Sequence, residues 1–199
     1  MAPFATPPIR PFAIELDRSA LTLRPEGPVL TRRLSDLAGL FLDTAAWRAA
    51  VEDGDPVVYT VSSSPVPESP AELPQSITTI RPGDVGGELN FTKGHIHPRP
   101  EGEIYLGLDG EGGLLMFDGT DHVFLELSRD RVGYIPPGWA HRSINTGEAD
   151  YSFLAVYPGG AGHDYGWVLE HGFGARVYAG SAGPELRPFG HPRPEPAPR

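Results

Sequence analysis

From residue 56 onward, apolar and polar positions alternate with a period of two over short stretches. These are PVVYTV (56–61), SITTIRP (76–82), ELNFT (88–92), EIYLGL (103–108), GLLMFD (113–118), HVFLEL (122–127), RVGYIP (131–136), YSFLAVYP (151–158) and ARVYA (175–179). A two-residue period sends successive side chains to opposite faces, and β-branched and aromatic residues fill these stretches, so each predicts a strand. PGDVGG, LDGEGG, FDGTD and NTGEAD separate them with the residues that tight turns need. DGEGG (109–113) joins two strands and opens no helix, which makes it a hairpin turn in this reading rather than a phosphate-cradling loop. One early segment is helical: Asp43 caps TAAWRAAVE, Trp47 and Val51 share a face, and Gly54 stops it, giving a helix near 44–52. Short strands in this number predict an all-β domain, a closed barrel or a two-sheet sandwich.

Composition narrows the chemistry. The 199 residues include 25 glycines and 23 prolines, which fits turns and strands better than a helical bundle. Ten of the prolines lie near the ends, so residues 1–30 are read as an N-terminal arm, 31–180 as the barrel domain and 181–199 as a Pro-rich, disordered tail. There is no cysteine, which excludes disulfides, thiolate metal sites and a cysteine nucleophile. Any metal must be held by nitrogen and oxygen. The formal charge of −10 argues against a nucleic-acid partner, which needs a basic face. No apolar run is long enough to span a membrane, and MAPFATPPIRPFAIEL lacks a cationic start followed by an apolar stretch. The expectation is a soluble cytoplasmic protein without membrane contact.

The histidines carry the strongest chemical signal. His95 and His97 form an H-x-H pair at the end of a strand signal, where i and i+2 share a face and both imidazoles can reach one cation. A carboxylate follows in EGEIYLGLDG, and His141 follows in PPGWAHRSIN. Three imidazoles and one carboxylate suit Fe(II), Mn(II), Ni(II) or Zn(II) and leave positions for water or substrate. His163, Asp164 and Tyr165 in AGHDYG are read as a Gly-flanked loop, while His122, His171 and His191 match no ligand pattern.

GHIH(x5)E(x6)G, from Gly94 to Gly110, and P-x-G-x-x-H-x-x-x-N, from Pro136 to Asn145, resemble the two motifs of cupins. With FLAVYPGGAGHDYG added, residues 30 to 178 are very similar to the cupin-type phosphoglucose isomerases. The resemblance implies a single jelly-roll-like cupin barrel with a short N-terminal helix and extended termini. It implies a homodimer, with one divalent metal per subunit, iron(II) first, bound by His95, His97, Glu103 and His141. Glu103 is preferred to Glu101 because a glycine, Gly110, comes at the expected distance after it, and because it shares a strand face with Tyr105. Where the motif has a glycine six residues before Pro136, this chain has Asp130.

The implied reaction interconverts glucose 6-phosphate and fructose 6-phosphate, as in glycolysis and gluconeogenesis. Glu103, His163 and Tyr165 are the implied catalytic groups. Tyr59, Thr78, Thr92, the Gly94 N–H, Tyr105, Tyr157 and Tyr165 are the implied substrate and phosphate contacts. Lys93 alternates with Thr92 and is read as facing outward. Hydrogen can pass between C1 and C2 as a proton, through a base, or as a hydride. A carboxylate that ligates a cation is a weakened base, which makes the hydride route a serious alternative. An Fe(II) dioxygenase or a non-catalytic sugar-binding cupin would use the same ligands.

Overall fold

The computed structural model describes residues 9–189. A hairpin of β1 (Glu15–Asp17) and β2 (Thr22–Arg24) opens the chain. Then come β3 (Val29–Arg33), a 3₁₀ turn at Leu34–Leu37 and helix α1 (Thr44–Glu52). Next are β4 (Val57–Ser63), β5 (Gln75–Ile80), β6 (Asp84–Val85), β7 (Glu88–Leu89), β8 (Glu103–Asp109), β9 (Gly112–Phe117) and β10 (His122–Glu126). The chain continues through β11 (Val132–Ile135), β12 (Ala140–Asn145), β13 (Tyr151–Val156), α2 (Tyr165–His171), β14 (Ala175–Gly180) and β15 (Gly183–Pro188).

Six strands pair in the order β11-β8-β13-β5-β4-β3. A second layer holds β10-β9-β12, and the chain from Asn90 to His95 runs antiparallel beside β12 through bridges at Phe91–Ile144 and His95–His141. That segment leads back to β7, which joins β6 on one side and β14 and β15 on the other. One apolar cluster runs through both layers: Ile80, Ile135 and Phe153 come from the six-stranded sheet, and Leu114, Leu115 and Ile144, on both faces, from the second. Two sheets closed over a common core are the jelly-roll arrangement expected of a cupin. Among the described residues the ladders form separate sheets rather than one continuous ring.

The expected helix has the expected bounds. The Asp43 carboxylate accepts the Ala45 and Ala46 N–H groups at 3.1 and 2.8 Å, satisfying donors that a first turn leaves free. Trp47 and Val51 pack on the core, and Trp47 Nε1 donates to the Leu34 carbonyl at 2.9 Å. Every period-two stretch contains a strand, although ELNFT is regular only at Glu88–Leu89. Among the strands with no such signal, β12 has an identifiable cause. All six residues of β12 are buried, so both of its faces are covered and alternation vanishes.

Two expectations are corrected. DGEGG is not a hairpin turn: β8 pairs with β11 and β13, and β9 with β10 and β12, so this turn carries the chain from one sheet to the other. Gly110 makes the crossing at φ +75°, with space for no Cβ, since one would lie 2.2 Å from the Asp150 carbonyl oxygen. The Pro-rich tail, expected from residue 181, starts instead with β15, in register with β14. Its prolines, Pro184 and Pro188, are tolerated because β15 is an edge strand. Residues 190–199, and His191 with them, lie outside the described residues, as do residues 1–8 of the arm. The described part of the arm packs on the outer face of the six-stranded sheet, where Leu23 meets Ile77 and Leu108. Asp130 has φ +64°, so it takes the left-handed conformation for which the cupin motif uses glycine, as Asp can.

Candidate active site

His95 and His141 face each other across the bridge between the Asn90–His95 segment and β12. His95 N–H donates to the His141 carbonyl at 3.1 Å and His141 N–H to the His95 carbonyl at 2.9 Å. Directly opposed residues project to one face, and the two imidazole centroids are 4.3 Å apart. Two residues further along the segment, His97 brings its ring centroid to 4.9 Å from that of His95. Glu103 enters from the other sheet, at the start of β8. Its Oε1 lies 2.5 Å from His141 Nε2 and 3.3 Å from His97 Nε2.

The surroundings orient these rings. His97 Nδ1 lies 2.8 Å from the Gly162 carbonyl oxygen, and His141 Nδ1 lies 3.2 Å from that of Trp139. A carbonyl only accepts, so each Nδ1 carries the proton and each Nε2 keeps its lone pair for the centre, the usual support of a metal-ligating histidine. Nε2 of His95, His97 and His141 and Oε1 of Glu103 are buried without a hydrogen-bond partner. One atom from each of the four residues lies within 4.8 Å of every other. Four converging, buried and unsatisfied donor atoms of this chemistry fit a divalent first-row cation. Burial and the neighbouring imidazoles push His95 well below 6.5 and keep it neutral. Burial opposes charge on Glu103, but His141 and His97 outweigh it and hold the carboxyl at about 2.

Three of the four, His95, Glu103 and His141, line a cavity of about 380 Å³, within the size range of small-molecule sites. Tyr59, Thr78, Thr92, Gly94, Tyr105, Tyr157, His163 and Tyr165, the residues singled out for substrate, all line it. Thr78 points inward, while Thr79 is turned to the other face, 2.7 Å from the Ser152 hydroxyl. Thr92 Oγ1 accepts the Ser143 N–H at 3.0 Å, so its own proton is free for an acceptor in the cavity. Tyr105 stacks on Phe153 with centroids 4.7 Å apart, and burial, then the Glu103 charge, push its hydroxyl well above 10. His163 sits 4.4 Å from the His95 ring and stacks parallel to Tyr165 at 6.1 Å. Burial lowers His163 below 6.5.

Some of the site escaped the sequence reading. AGHDYG is not simply a loop: the Asp164 carboxylate accepts the Trp167 N–H at 3.0 Å and starts α2, of which Tyr165 is the first residue. The signal was present in Asp164 as cap and Gly172 as stop. Lys93 also contributes to the cavity lining, with its Nζ 5.9 Å from the centroid of the Tyr165 ring. Arg32 and Glu68 also line the cavity, and the Tyr157 hydroxyl donates to Glu68 Oε1 at 2.8 Å. Neither lies in a motif; only the fold brings them there. Trp139 and Trp167 pack on the core instead.

Comparison with known proteins follows the same line. The family described as glucose-6-phosphate isomerase (GPI) matches residues 31–188. A glucose-6-phosphate isomerase of Thermococcus litoralis is 42% identical over 165 residues, 82% of this chain and 86% of its own. That of Pyrococcus horikoshii is 46% identical over 146 residues, 72% of this chain and 77% of its own. A solved oxalate oxidase in complex with the substrate analogue glycolate has a TM-score of 0.42 at 18% identity, covering 50% of this chain and 49% of that one, too slight a likeness to argue from. The family match spans all four clustered donors and most of the cavity lining, and the relatives align over most of both chains: this chain belongs to the glucose-6-phosphate isomerase family.

Proposed function

We propose that this protein interconverts glucose 6-phosphate and fructose 6-phosphate, with a divalent cation held by His95, His97, Glu103 and His141. The observation that carries this reading is the convergence of four buried, unsatisfied donor atoms, three of them from residues that line a hydroxyl-rich cavity, in a chain of this family. When bound, the cation supplies Lewis acidity at the hydroxyl and carbonyl oxygens of the open-chain sugar.

The chain's own groups account for the remaining requirements. His163, neutral near pH 7, has one N–H and one lone pair, and so can move a proton between O1 and O2. Tyr59, Tyr165, Thr78, Thr92 and the Gly94 N–H are suited to an anion, because hydroxyls and amides donate to it. A carboxylate that ligates a cation is a weakened base, so Glu103 is better suited as a ligand than as a base. This favours passage of hydrogen from C2 of the aldose to C1 as a hydride, while the O2 proton leaves and O1 gains one. Conversion in deuterium oxide tests that route: product free of carbon-bound deuterium is expected, and one atom of deuterium per turnover would overturn it.

Iron(II) is the metal we favour, from its match to a nitrogen and oxygen donor set. A homodimer is supported by exposed apolar side chains on the outer strands of the six-stranded sheet, Val29 and Leu30 on β3 and Val132 and Tyr134 on β11. A cytoplasmic location follows from the metabolic role. No helix among the described residues is long and apolar enough to cross a membrane.

A coupled assay of fructose 6-phosphate conversion under anaerobic conditions tests the activity, with the protein as prepared, after chelation and after addition of Fe(II), Mn(II), Zn(II) or Ni(II). Turnover that chelation removes and metal restores is expected. No conversion with any metal would reject the reading, and conversion without oxygen separates it from a dioxygenase.

A further inference from the structure

We propose that Arg32 is the charged partner of the substrate's phosphate group and thereby a specificity-determining residue of this cavity. The inference rests on the sugar-phosphate reading given above.

Arg32 and Arg33 are adjacent on β3 but have different fates. The ladder between β3 and β4 is regular from Val29 to Arg32 and slips between Arg32 and Arg33. Such a slip re-aims side chains. Arg33 turns to the loop before β4, where Nη1 donates to the Asp55 carbonyl at 2.8 Å. Arg32 is opposite Tyr59 in register and lines the cavity with it. It forms no ion pair with a carboxylate among the described residues, and its Nε is buried without a hydrogen-bond partner. In a chain of net charge −10, a guanidinium that lines a cavity and pairs with no carboxylate puts positive charge where an anion can use it. The planar fork of Arg matches phosphate with two parallel hydrogen bonds.

The neighbours agree. The Tyr59 hydroxyl lies 3.5 Å from the Lys93 backbone nitrogen, and Lys93 Nζ is 5.9 Å from the centroid of the Tyr165 ring. Arg32, Tyr59, Lys93 and Tyr165 thus gather donors and positive charge in one region. The other carboxylate of the lining besides Glu103, Glu68, is held at a different backbone level from Arg32 and Tyr59, although its charge reaches Tyr165. Tyr59 pairs with Ile80 of β5, whereas Tyr157, which holds Glu68, follows Val156, the partner of Gln75. Five residues of β5 separate the two levels, roughly 17 Å of strand. A phosphate at the Glu68 end would meet a carboxylate, whereas at the Arg32 end it meets donors. The sugar phosphate therefore enters in one orientation, and Tyr157 belongs with the sugar rather than the phosphate.

The test uses manganese-loaded protein and inorganic phosphate as probe, with wild type, Arg32→Gln and Arg32→Lys compared by titration calorimetry and by kinetics with fructose 6-phosphate. In Arg32→Gln the Kd for phosphate is expected to rise about tenfold or more, and kcat/KM to fall by a similar factor, mostly through KM, at unchanged metal content. Arg32→Lys, which keeps the charge but not the fork, is expected to fall between them. Arg32→Gln that binds phosphate as wild type does, with full metal, would overturn the proposal. If Arg32→Gln does not fold, a wild-type Kd in Arg32→Lys would do the same. Wild type that binds phosphate through Arg32 but does not convert fructose 6-phosphate would reject the isomerase reading and leave Arg32 as an anion site.

Discussion

His141→Ala is expected to lower bound metal below about 0.1 per subunit and turnover by roughly a thousandfold, the scale of losing a Lewis acid's several kcal/mol. Two effects combine. The variant loses one of four donors, and it removes the neighbour chiefly responsible for holding the Glu103 carboxyl at about 2 against the opposing pull of burial. Glu103, only 4% exposed, keeps His97 Nε2 at 3.3 Å as its remaining imidazole neighbour. Breaking a buried pair from one side costs about 3 kcal/mol or more, so the melting temperature should fall as well. Elemental analysis of purified protein reads the first effect and thermal melting the second. Wild-type metal content in the variant would mean that His141 is not a ligand.

Gly94→Ala should damage the fold and the candidate site together. The residue has φ +73°, and an added Cβ would stand 2.7 Å from Phe173 Cζ, 2.8 Å from Arg142 Cβ and 2.8 Å from the His141 carbonyl oxygen. None of these can easily give. Arg142 is buried with its guanidinium 4.0 Å and 4.4 Å from the Phe91 and Phe173 ring centroids, and Nη2 donates to the Lys93 carbonyl at 2.9 Å. The His141 carbonyl accepts the His95 N–H. Left-handed backbone and overpacking together cost about 3 kcal/mol or more, and the relief must come from parting His95 and His141. Lower stability and weaker metal binding are expected together. Gly138→Ala is the control: it has φ +82° but nothing within 4 Å of its added Cβ, so only the backbone cost of about 1 to 2 kcal/mol applies. Equal melting temperatures for the two variants would show that the contacts around Gly94 are not tight.

The contrast between these glycines shows what the sequence made legible. The cluster of donors was readable because H-x-H, Glu103 and His141 are local motifs whose spacing carries chemistry. Strand positions were readable wherever one face met the core and the other met solvent. β12 was not, because its six residues are all buried and leave no period. The partners of Gly94 were not, because Phe173 and Arg142 approach it only through pairing of distant segments. Arg32 and Glu68 were missed for the same reason: no motif announces a residue whose role depends on register between strands. The turn at 109–113 was misread because a Gly-rich turn between two strands looks alike whether it closes a hairpin or changes sheets.

The seam between the sheets gives the cation a second consequence. Glu103 rises from the six-stranded sheet, whereas His95 and His141 belong to the facing one, so an ion held by all of them would act as a rivet between the layers. A ligand that binds only the folded chain adds about 4 kcal/mol at a thousand times its dissociation constant, a sizeable share of a domain's stability. Metal supply would then set the lifetime of the protein as well as its rate. A cell short of the ion would carry fewer molecules, not merely idle ones.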